Sequence, residues 1–414
     1  MNITPELQKA LDAAWKQLTQ ILFCEKTNLI YDYVGSLDEH RFDFLPTAQE
    51  VQLGYPNNKG YSTGMEDSMI CGGTAIDLCI RRAQIFPETT EECRTFAQKL
   101  FKGLELCATV HGRNGYIVRS VSPRDGKSCY TCSSRDQMTF WVWGLWRYYN
   151  SGLVSGDERK RIAELVVMLA ERSEKEVVPE NDYCILTLDG FPNILNKMDQ
   201  VQPHEILRVP MFYRTAYALT GDEHWKQLYN AIIEPAIRKA AEPKDYWNHF
   251  ELSQFLLSLA LCNELDPRPE FIEISRTIAE ITKKMLCEKY LPALEQWTGS
   301  WRCPARPWRE SRRMHVMVTP GGSAVWPDGK LDLRPPQTEE FEKLFDVVRI
   351  PGNLAEGVLL APECGFSPEL RERFLKAFLR PDYSVTCSYS LLGMLYSALL
   401  LLTLRRRNSR GGHP

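Results

Sequence analysis

The sequence predicts an all-α protein in which six helical hairpins close into a single toroid. Twelve stretches have helical patterning, and the connections between them alternate between long and short. The even-numbered stretches are apolar or rich in small residues, whereas the odd-numbered stretches carry much of the charge. A helix that is apolar all round is buried, and a charged amphipathic helix faces water on one side. The even helices should therefore form an inner ring and the odd helices an outer ring.

The helical stretches follow one another along the whole chain, and strand signals are few. The tenth helix is the weakest because Pro351-Gly352 cuts it. Short strands are expected only at residues 115–121 and 313–319. The twelve predicted helices cover residues 5–23, 65–86, 88–111, 133–151, 156–178, 204–220, 221–239, 247–264, 268–288, 338–362, 367–380 and 387–407.

Four long connections follow odd-numbered helices, at residues 24–64, 112–132, 179–203 and 289–337. If successive helices run antiparallel, every connection from an odd to an even helix emerges at the same end of the molecule. The N-termini of the even helices point to that end as well. Because binding and catalytic residues concentrate in loops held by a rigid scaffold, we expect the functional site there.

Composition and charge are those of an ordinary globular protein. The 414 residues are 44% hydrophobic and 25% charged, with a formal net charge of −3, which gives no electrostatic footprint for nucleic acid. We expect a single domain over residues 1–414, with a basic and flexible tail at 405–414. Residues 1–20 do not resemble a signal peptide, and the apolar stretch 391–404 is interrupted by polar residues and too short to cross a membrane.

The cysteines favour a reducing compartment, so we expect a cytoplasmic protein. There are thirteen, an odd number, and they are scattered through predicted helices rather than arranged as a disulfide framework. The single CxxC, Cys129 to Cys132, has no second pair and no histidine at ligand spacing. No phosphate loop or dinucleotide fingerprint appears. We therefore predict neither a metal nor another cofactor.

Two aspartates open predicted inner helices and are the candidate catalytic residues. Asp67 precedes a stretch of small residues, and Asp136 precedes an aromatic one. Two carboxylates that face one cavity are what cleavage of a glycosidic bond needs, one as acid and one as base or nucleophile. The alternative is that acids favour helix N-termini through capping and the helix dipole, which explains either aspartate alone. Charged and amide neighbours at both entrances favour a binding site: Glu66, Arg135 and Gln137.

The loops and helix entrances supply candidate substrate-binding residues. Aromatic rings that alternate with charges suit a sugar, and arginine side chains suit an anionic one, because the guanidinium group pairs with carboxylates. The alternative is that the loops are pinned by their aromatic residues and that their charges are merely solvated. A lone histidine is likewise more often structural than functional. The candidates are His40, Arg41, Asp43, Tyr61, Arg119, Arg124, Trp143, His204, His249, Trp301, Trp308 and Arg312.

The pattern of six hairpins resembles the (α/α)6 barrel of the six-hairpin glycosidase superfamily over essentially the whole chain. Because that fold hosts glycoside hydrolases, polysaccharide lyases and epimerases, the resemblance by itself does not settle the chemistry. The unsaturated glucuronyl and rhamnogalacturonyl hydrolases are nearest in size and in the implied anionic substrate. The resemblance implies an aspartate at an inner-helix entrance that protonates the substrate and a second aspartate nearby, and Asp136 and Asp67 match that placement.

We therefore predict a glycoside hydrolase that acts on an anionic, uronic-acid-containing or plant-type oligosaccharide. Asp136 is the predicted proton donor, because the apolar surface behind it could raise its pKa. Asp67 would polarise water or hold the substrate, and Arg135 would orient one of the two. One alternative is a polysaccharide lyase with a base such as His40, Tyr61, His111 or His249. Another is a toroid that binds carbohydrate without cleaving it.

Overall fold

A computed structural model describes residues 3–245, 247–297, 308–310, 317–318, 324–325 and 345–409, and these are predominantly helical. Twelve long α-helices carry the fold, one in each stretch for which the sequence predicts a helix. They are α1 (Pro5–Lys16), α2 (Ser68–Ile85), α3 (Thr90–Thr109), α4 (Arg135–Tyr149), α5 (Gly156–Glu176), α6 (Arg208–Thr220), α7 (Glu223–Ala240), α8 (His249–Leu265), α9 (Pro269–Met285), α10 (Ile350–Leu360), α11 (Pro368–Phe378) and α12 (Leu391–Ser409).

Shorter elements extend or connect these helices. Two five-residue α-helices lie at Ala48–Gln52 and Leu291–Glu295. π-Helical turns lie at Gln17–Leu22, Leu286–Tyr290 and Phe345–Arg349. 3₁₀ turns lie at Pro87–Thr89, Pro179–Asn181, Ile194–Asn196, Pro203–Glu205, Trp308–Glu310 and Tyr383–Val385.

The described ranges contain four strands, each two residues long, which form two antiparallel pairs. β1 (Phe23–Cys24) pairs with β2 (Leu29–Ile30), and β3 (Met317–Val318) pairs with β4 (Ala324–Val325). The prediction of a strand at residues 115–121 is wrong, because this buried segment is irregular and pairs with no strand among the described residues. β3 lies within the strand predicted at 313–319, whose other residues are outside the described part of the chain.

Local sequence signals account for where several helices begin and end. Ser155 caps α5 through a capping box, in which its hydroxyl accepts from the Glu158 N–H at 3.2 Å and its own N–H donates to the Glu158 carboxylate at 2.8 Å. Gly221 ends α6 with a φ of +71°, a conformation that glycine adopts at little cost. Pro351 does not cut α10 as expected. It lies two residues after the end of the π-helical turn Phe345–Arg349, where the hydrogen-bonding pattern changes from π-helical to α-helical.

Burial separates the helices as the sequence predicts. In α4 and α8 most residues after the first turn are buried, whereas α5 buries one stripe that runs from Ile162 through Leu169 to Ser173. Among the even helices, α2 contacts α4, α4 contacts α6, α6 contacts α8, α8 contacts α10, α10 contacts α12, and α12 contacts α2. Each odd helix packs against one or more even helices.

Glycines let some even helices approach very closely. A Cβ atom on Gly73 of α2 would lie 2.2 Å from the carbonyl oxygen of Phe140 in α4, and one on Gly144 would lie 2.5 Å from the Cα of Gly73. Similarly, a Cβ atom on Gly352 of α10 would lie 2.5 Å from the backbone nitrogen of Met394 in α12. None of the helices in the described ranges combines the length and apolar character needed to span a bilayer.

Candidate functional site

The entrances of four even helices meet around the carboxylate of Asp67. Asp67 is the N-cap residue of α2, but its side chain does not cap the helix. Its Oδ1 accepts from the Gln137 side chain of α4 at 2.9 Å. Its Oδ2 accepts from Arg349, immediately before α10, at 3.0 Å and from the Tyr389 hydroxyl, just before α12, at 2.9 Å. For these four helices, the expectation that the even N-termini point to one end is confirmed.

Asp32 lies directly behind Asp67, and the sequence analysis missed it. Its carboxylate accepts the backbone N–H groups of Glu66 and Asp67 at 3.0 and 2.9 Å. Burial raises the pKa of Asp32 well above its usual range, and the nearby charges of Asp67 and Glu66 raise it further. A single carboxylate inside the apolar run at residues 29–34 is the sequence signal that could have identified it.

Asp136 has surroundings unlike those of Asp67. It is the second residue of α4 and is half-buried. Within the part of the chain that the structure describes, its carboxylate makes no hydrogen bond or ion pair. It does lie near two buried guanidinium groups, since its charge acts to raise the pKa of both Arg119 and Arg208. Asp136 is therefore an unengaged carboxylate close to positive charge.

Arg119 connects the two aspartates with the loop before α2. Its guanidinium donates to the Glu66 carbonyl at 3.0 Å and the Tyr61 hydroxyl at 3.2 Å, and it lies 3.6 Å from the Asp67 carboxylate. Burial acts to lower the pKa of Arg119, but the charges of Tyr61, Asp67, Asp136 and Glu66 more than offset this and raise it. Arg119, Tyr61 and Glu66, all predicted from the sequence, thus belong to one cluster with Asp67.

The prediction that Arg135 orients one of the aspartates is wrong. Its guanidinium pairs with the carboxylate of Glu205 and donates to the carbonyls of Ile194 and Lys197 at 2.6 and 2.7 Å. Arg135 therefore fixes the loop that follows α5 against the start of α4, while Gln137 and Arg349 hold Asp67. His204 lies beside this pair, 3.8 Å from Glu205, and burial lowers its pKa to about 2, so its ring is neutral.

Arg208, the first residue of α6, is a second residue that the sequence analysis missed. It is fully buried, and its guanidinium donates to the Gln254 carbonyl at 3.3 Å, the Gln254 side chain at 3.2 Å and the Ser258 hydroxyl. No carboxylate among the described residues forms an ion pair with it. Burial lowers the pKa of Arg208 to about 10, so the group still carries its charge at neutral pH.

A small cavity of about 30 Å³ lies between the even helices, next to Asp67. Arg349 and Tyr389, two of the donors to Asp67, line it. Glu356 of α10 also lines the cavity, and burial raises its pKa to about 8. The other lining residues are Ile70, Thr74, Phe140, Phe250, Ser253, Gln254, Asn353, Leu392 and Gly393.

Two predicted site residues lie near this cavity without lining it. Trp143 is buried, with its ring centroid 6.4 Å from that of Phe140. His249 lies against Phe250, with ring centroids 4.0 Å apart. Burial, helped by the charge of Arg349, lowers the pKa of His249 to about 3, so the ring is neutral at physiological pH.

The charges of the loop before α2 form a separate surface cluster. Asp43 accepts from Arg124 at 2.6 Å and lies 3.2 Å from His40, while Arg41 donates to the Ile21 carbonyl at 3.0 Å. Trp308 is buried and donates to the Phe44 carbonyl at 3.1 Å. These contacts pin the loop rather than join it to Asp67. The predicted site residues Trp301 and Arg312 lie outside the described part of the chain.

In the described ranges, no group of three or more histidine, cysteine, aspartate and glutamate residues is arranged to hold a metal ion. Cys129 and Cys132 of the CxxC are both free thiols, and burial raises the pKa of Cys129 to about 11. The Cys129 thiol is therefore protonated at neutral pH and is poorly suited to redox chemistry.

Comparison with known proteins identifies no relative of this chain. The sequence matches no protein-family model, and no curated protein is significantly similar to it.

Proposed function

We propose that this chain is a glycoside hydrolase built as an (α/α)6 toroid, and that it acts on an anionic oligosaccharide. The proposal for the toroid is supported by the contacts of the six even helices, which run in a cycle from α2 through α12 and back to α2. The odd helices would form the outer ring. In this arrangement Asp67, Asp136 and the central cavity lie at the end where the inner helices begin.

The observation that carries the proposed chemistry is the contrast between the two aspartates. Both oxygens of Asp67 already accept hydrogen bonds, from Gln137 on one side and from Arg349 and Tyr389 on the other. Asp67 is thus a fixed acceptor, suited to hold a water molecule or a substrate hydroxyl. Asp136 makes no hydrogen bond or ion pair with the described residues, so its carboxyl group is free to contact the glycosidic oxygen, and we assign it the role of proton donor. One acid and one acceptor are the two groups that hydrolysis of a glycoside requires.

Buried Arg208 supports an anionic substrate. Removing a cation from water costs several kcal/mol unless an opposite charge offsets it. Among the described residues, the Arg208 guanidinium donates hydrogen bonds only to the neutral Gln254 and Ser258. Asp136 and Glu205 act to raise its pKa, but neither forms an ion pair with it. A uronate carboxylate bound near Arg208 would supply a direct partner, and arginine is well suited to bind one.

The free thiols support the proposed compartment. The cysteines in the described residues are free, and several of them are fully buried. Free thiols persist in a reducing environment, which favours a cytoplasmic enzyme that acts on oligosaccharides small enough to be imported.

The test is a screen of the purified protein against saturated and unsaturated uronic-acid oligosaccharides. Reducing ends and the absorbance of the unsaturated uronate at about 235 nm should be followed together. We expect new reducing ends, with loss of that absorbance when the substrate is unsaturated. A gain in absorbance would instead identify a lyase, which forms a double bond by abstracting a proton beside the uronate carboxylate.

On a confirmed substrate, Asp136→Asn should lower turnover by about 10²- to 10⁴-fold with little change in substrate binding, as expected for a lost general acid. Asp157→Asn is the matched control, because Asp157 is also the second residue of a helix but lies exposed on α5. It should leave turnover unchanged.

Two outcomes would contradict these roles. If Asp136→Asn keeps most of its turnover while Asp67→Asn loses it, the roles are reversed. If sugars raise the melting temperature of the wild type and of both variants but none is turned over, the toroid binds carbohydrate without cleaving it.

A further inference from the structure

We propose that Glu356 is a ligand-binding residue whose carboxyl group hydrogen-bonds a hydroxyl group of the substrate in the central cavity. This inference rests on the proposed function for the identity of the ligand as a sugar. It concerns a residue of α10 that the sequence analysis did not select, and it is separate from the two aspartates.

The position of Glu356 connects it to the site. Its side chain lines the cavity between the even helices, and the residue is only 6% exposed. Arg349 and Tyr389 line the same cavity and donate to Asp67. A ligand held by Asp67 therefore lies next to the space into which Glu356 faces.

The hydrogen bonding of Glu356 is incomplete. Among the described residues, its one hydrogen-bond contact is with the Thr74 hydroxyl of α2, which lies 3.5 Å from Oε1, at the limit of a hydrogen bond. Its Oε2 has no partner there, and it is not one of the fully buried unpartnered atoms, so it is accessible from the cavity. A ligand hydroxyl can therefore bond to Oε2 without displacing a protein group.

Asp77 of α2 shows what a structural carboxylate in this protein looks like. It is fully buried and accepts from Arg81 at 3.0 Å, from Arg147 at 3.1 Å and from the Tyr396 hydroxyl. The two arginines and the Tyr396 hydrogen bond lower its pKa to about 2 against the opposing effect of burial. Glu356, in contrast, has no ion-pair partner in the described part of the chain, so it contributes little to holding the helices together.

The surroundings of Glu356 favour the protonated form. Burial raises its pKa to about 8, the Thr74 hydrogen bond opposes this, and the charge of Asp77 adds to it. Tyr396 of α12 is a titratable group nearby. Tyr389 and the cation Arg349 lie on the cavity wall. α8 contributes the uncharged Ser253 and Gln254. At neutral pH Glu356 is thus a hydrogen-bond donor as well as an acceptor.

The cavity has room for a polar group of a ligand beside Glu356. About 30 Å³ exceeds the roughly 10–15 Å³ that a cavity needs to hold one water molecule. A hydroxyl group therefore fits next to the carboxyl group. A hydroxyl also matches a protonated carboxyl group chemically, since each can donate one hydrogen bond and accept another.

The experiment measures binding of methyl β-D-glucuronide by titration calorimetry at about pH 6 and about pH 9.5. With a pKa near 8, only about one Glu356 in thirty keeps its proton at the higher pH, so the affinity of the wild type should fall by up to about thirtyfold. Glu356→Gln keeps the shape and the donor but cannot ionise. Its affinity should stay within about twofold between the two pH values and match the wild type at about pH 6. Glu280→Gln, on the exposed side of α9, should behave as the wild type.

A measurement on the wild type alone covers the case in which the variant does not fold. Binding near pH 8 should take up protons, seen as a dependence of the binding enthalpy on the ionisation enthalpy of the buffer. If binding takes up no proton, if Glu356→Gln keeps the wild-type pH dependence, or if the wild type does not bind the probe at about pH 6, the inference is overturned and the cavity holds only water.

The inference and the proposed function can fail separately. Turnover of uronides with a pH-dependent affinity that Glu356→Gln does not change would preserve the hydrolase and remove the role of Glu356. Binding of the glucuronide that depends on Glu356, with no turnover of any oligosaccharide, would preserve that role and remove the hydrolase.

Discussion

Replacing Gly73 with alanine should push helices α2 and α4 apart and weaken both the fold and the site. The added Cβ would lie 2.2 Å from the Phe140 carbonyl oxygen and 2.9 Å from its carbon, whereas ordinary contacts begin at 3.4 Å. These are backbone atoms, so the helices must separate by about an ångström in a densely packed core. Overpacking of this kind lowers the free energy of unfolding by about 1–3 kcal/mol. The higher helix propensity of alanine raises it by about 1 kcal/mol.

Because the obstruction is backbone rather than a flexible side chain, we place the overpacking cost at the upper end of its range. The free energy of unfolding should then fall by about 2 kcal/mol. The same displacement should lengthen the 2.9 Å bond between Gln137 of α4 and Asp67 at the start of α2. Turnover of a confirmed substrate should therefore fall by about tenfold or more, since small misplacements of catalytic groups are costly.

Urea unfolding followed by circular dichroism measures the stability change. Gly156→Ala is the matched control, because Gly156 is also helical but a Cβ atom there meets nothing within 4 Å. It should leave stability unchanged or raise it. If Gly73→Ala unfolds at the same urea concentration as the wild type, the close approach of α2 and α4 does not constrain the fold, and the reasoning is refuted.

Two further predictions follow from the buried charges. Asp77→Asn leaves Arg81 without its carboxylate and Arg147 with only Glu264 as a partner, so the free energy of unfolding should fall by about 3 kcal/mol. Glu280→Gln on the surface of α9 should change it by less than about 0.5 kcal/mol. The folded pKa of Asp77 is lowered to about 2. The stability that its ionised form contributes is therefore complete above about pH 4 and is lost as the pH falls through about 2. The difference in free energy of unfolding between the wild type and Asp77→Asn should disappear over the same range. Arg349→Met removes one of the two donors to Oδ2 of Asp67 and should lower turnover by about 10- to 100-fold. Turnover equal to that of the wild type would show that Tyr389 and Gln137 hold Asp67 without Arg349.

The helices and their burial could be predicted from the sequence because both depend on local patterns. The stripe of apolar residues in α5 and the continuous apolar surface of α4 are visible within one helix length. The positions of Asp67 and Asp136 at helix entrances follow from the same patterns. The strand predicted at residues 115–121 failed because β-branched and aromatic residues also suit a buried extended segment, and only a partner strand makes such a segment a sheet.

The partners of each charged group depend on contacts between distant parts of the chain. Asp67 is 282 residues from Arg349 and 322 residues from Tyr389, and no pattern in one sequence reports such separations. For the same reason Arg135, which adjoins Asp136 in the chain, pairs with Glu205 instead. The sequence by itself determined which helices are buried and which acids open them. The tertiary structure decided which of those acids is held and which is unengaged, and it identified Asp32, Arg208 and Glu356, because burial and hydrogen bonding are set by the assembled helices.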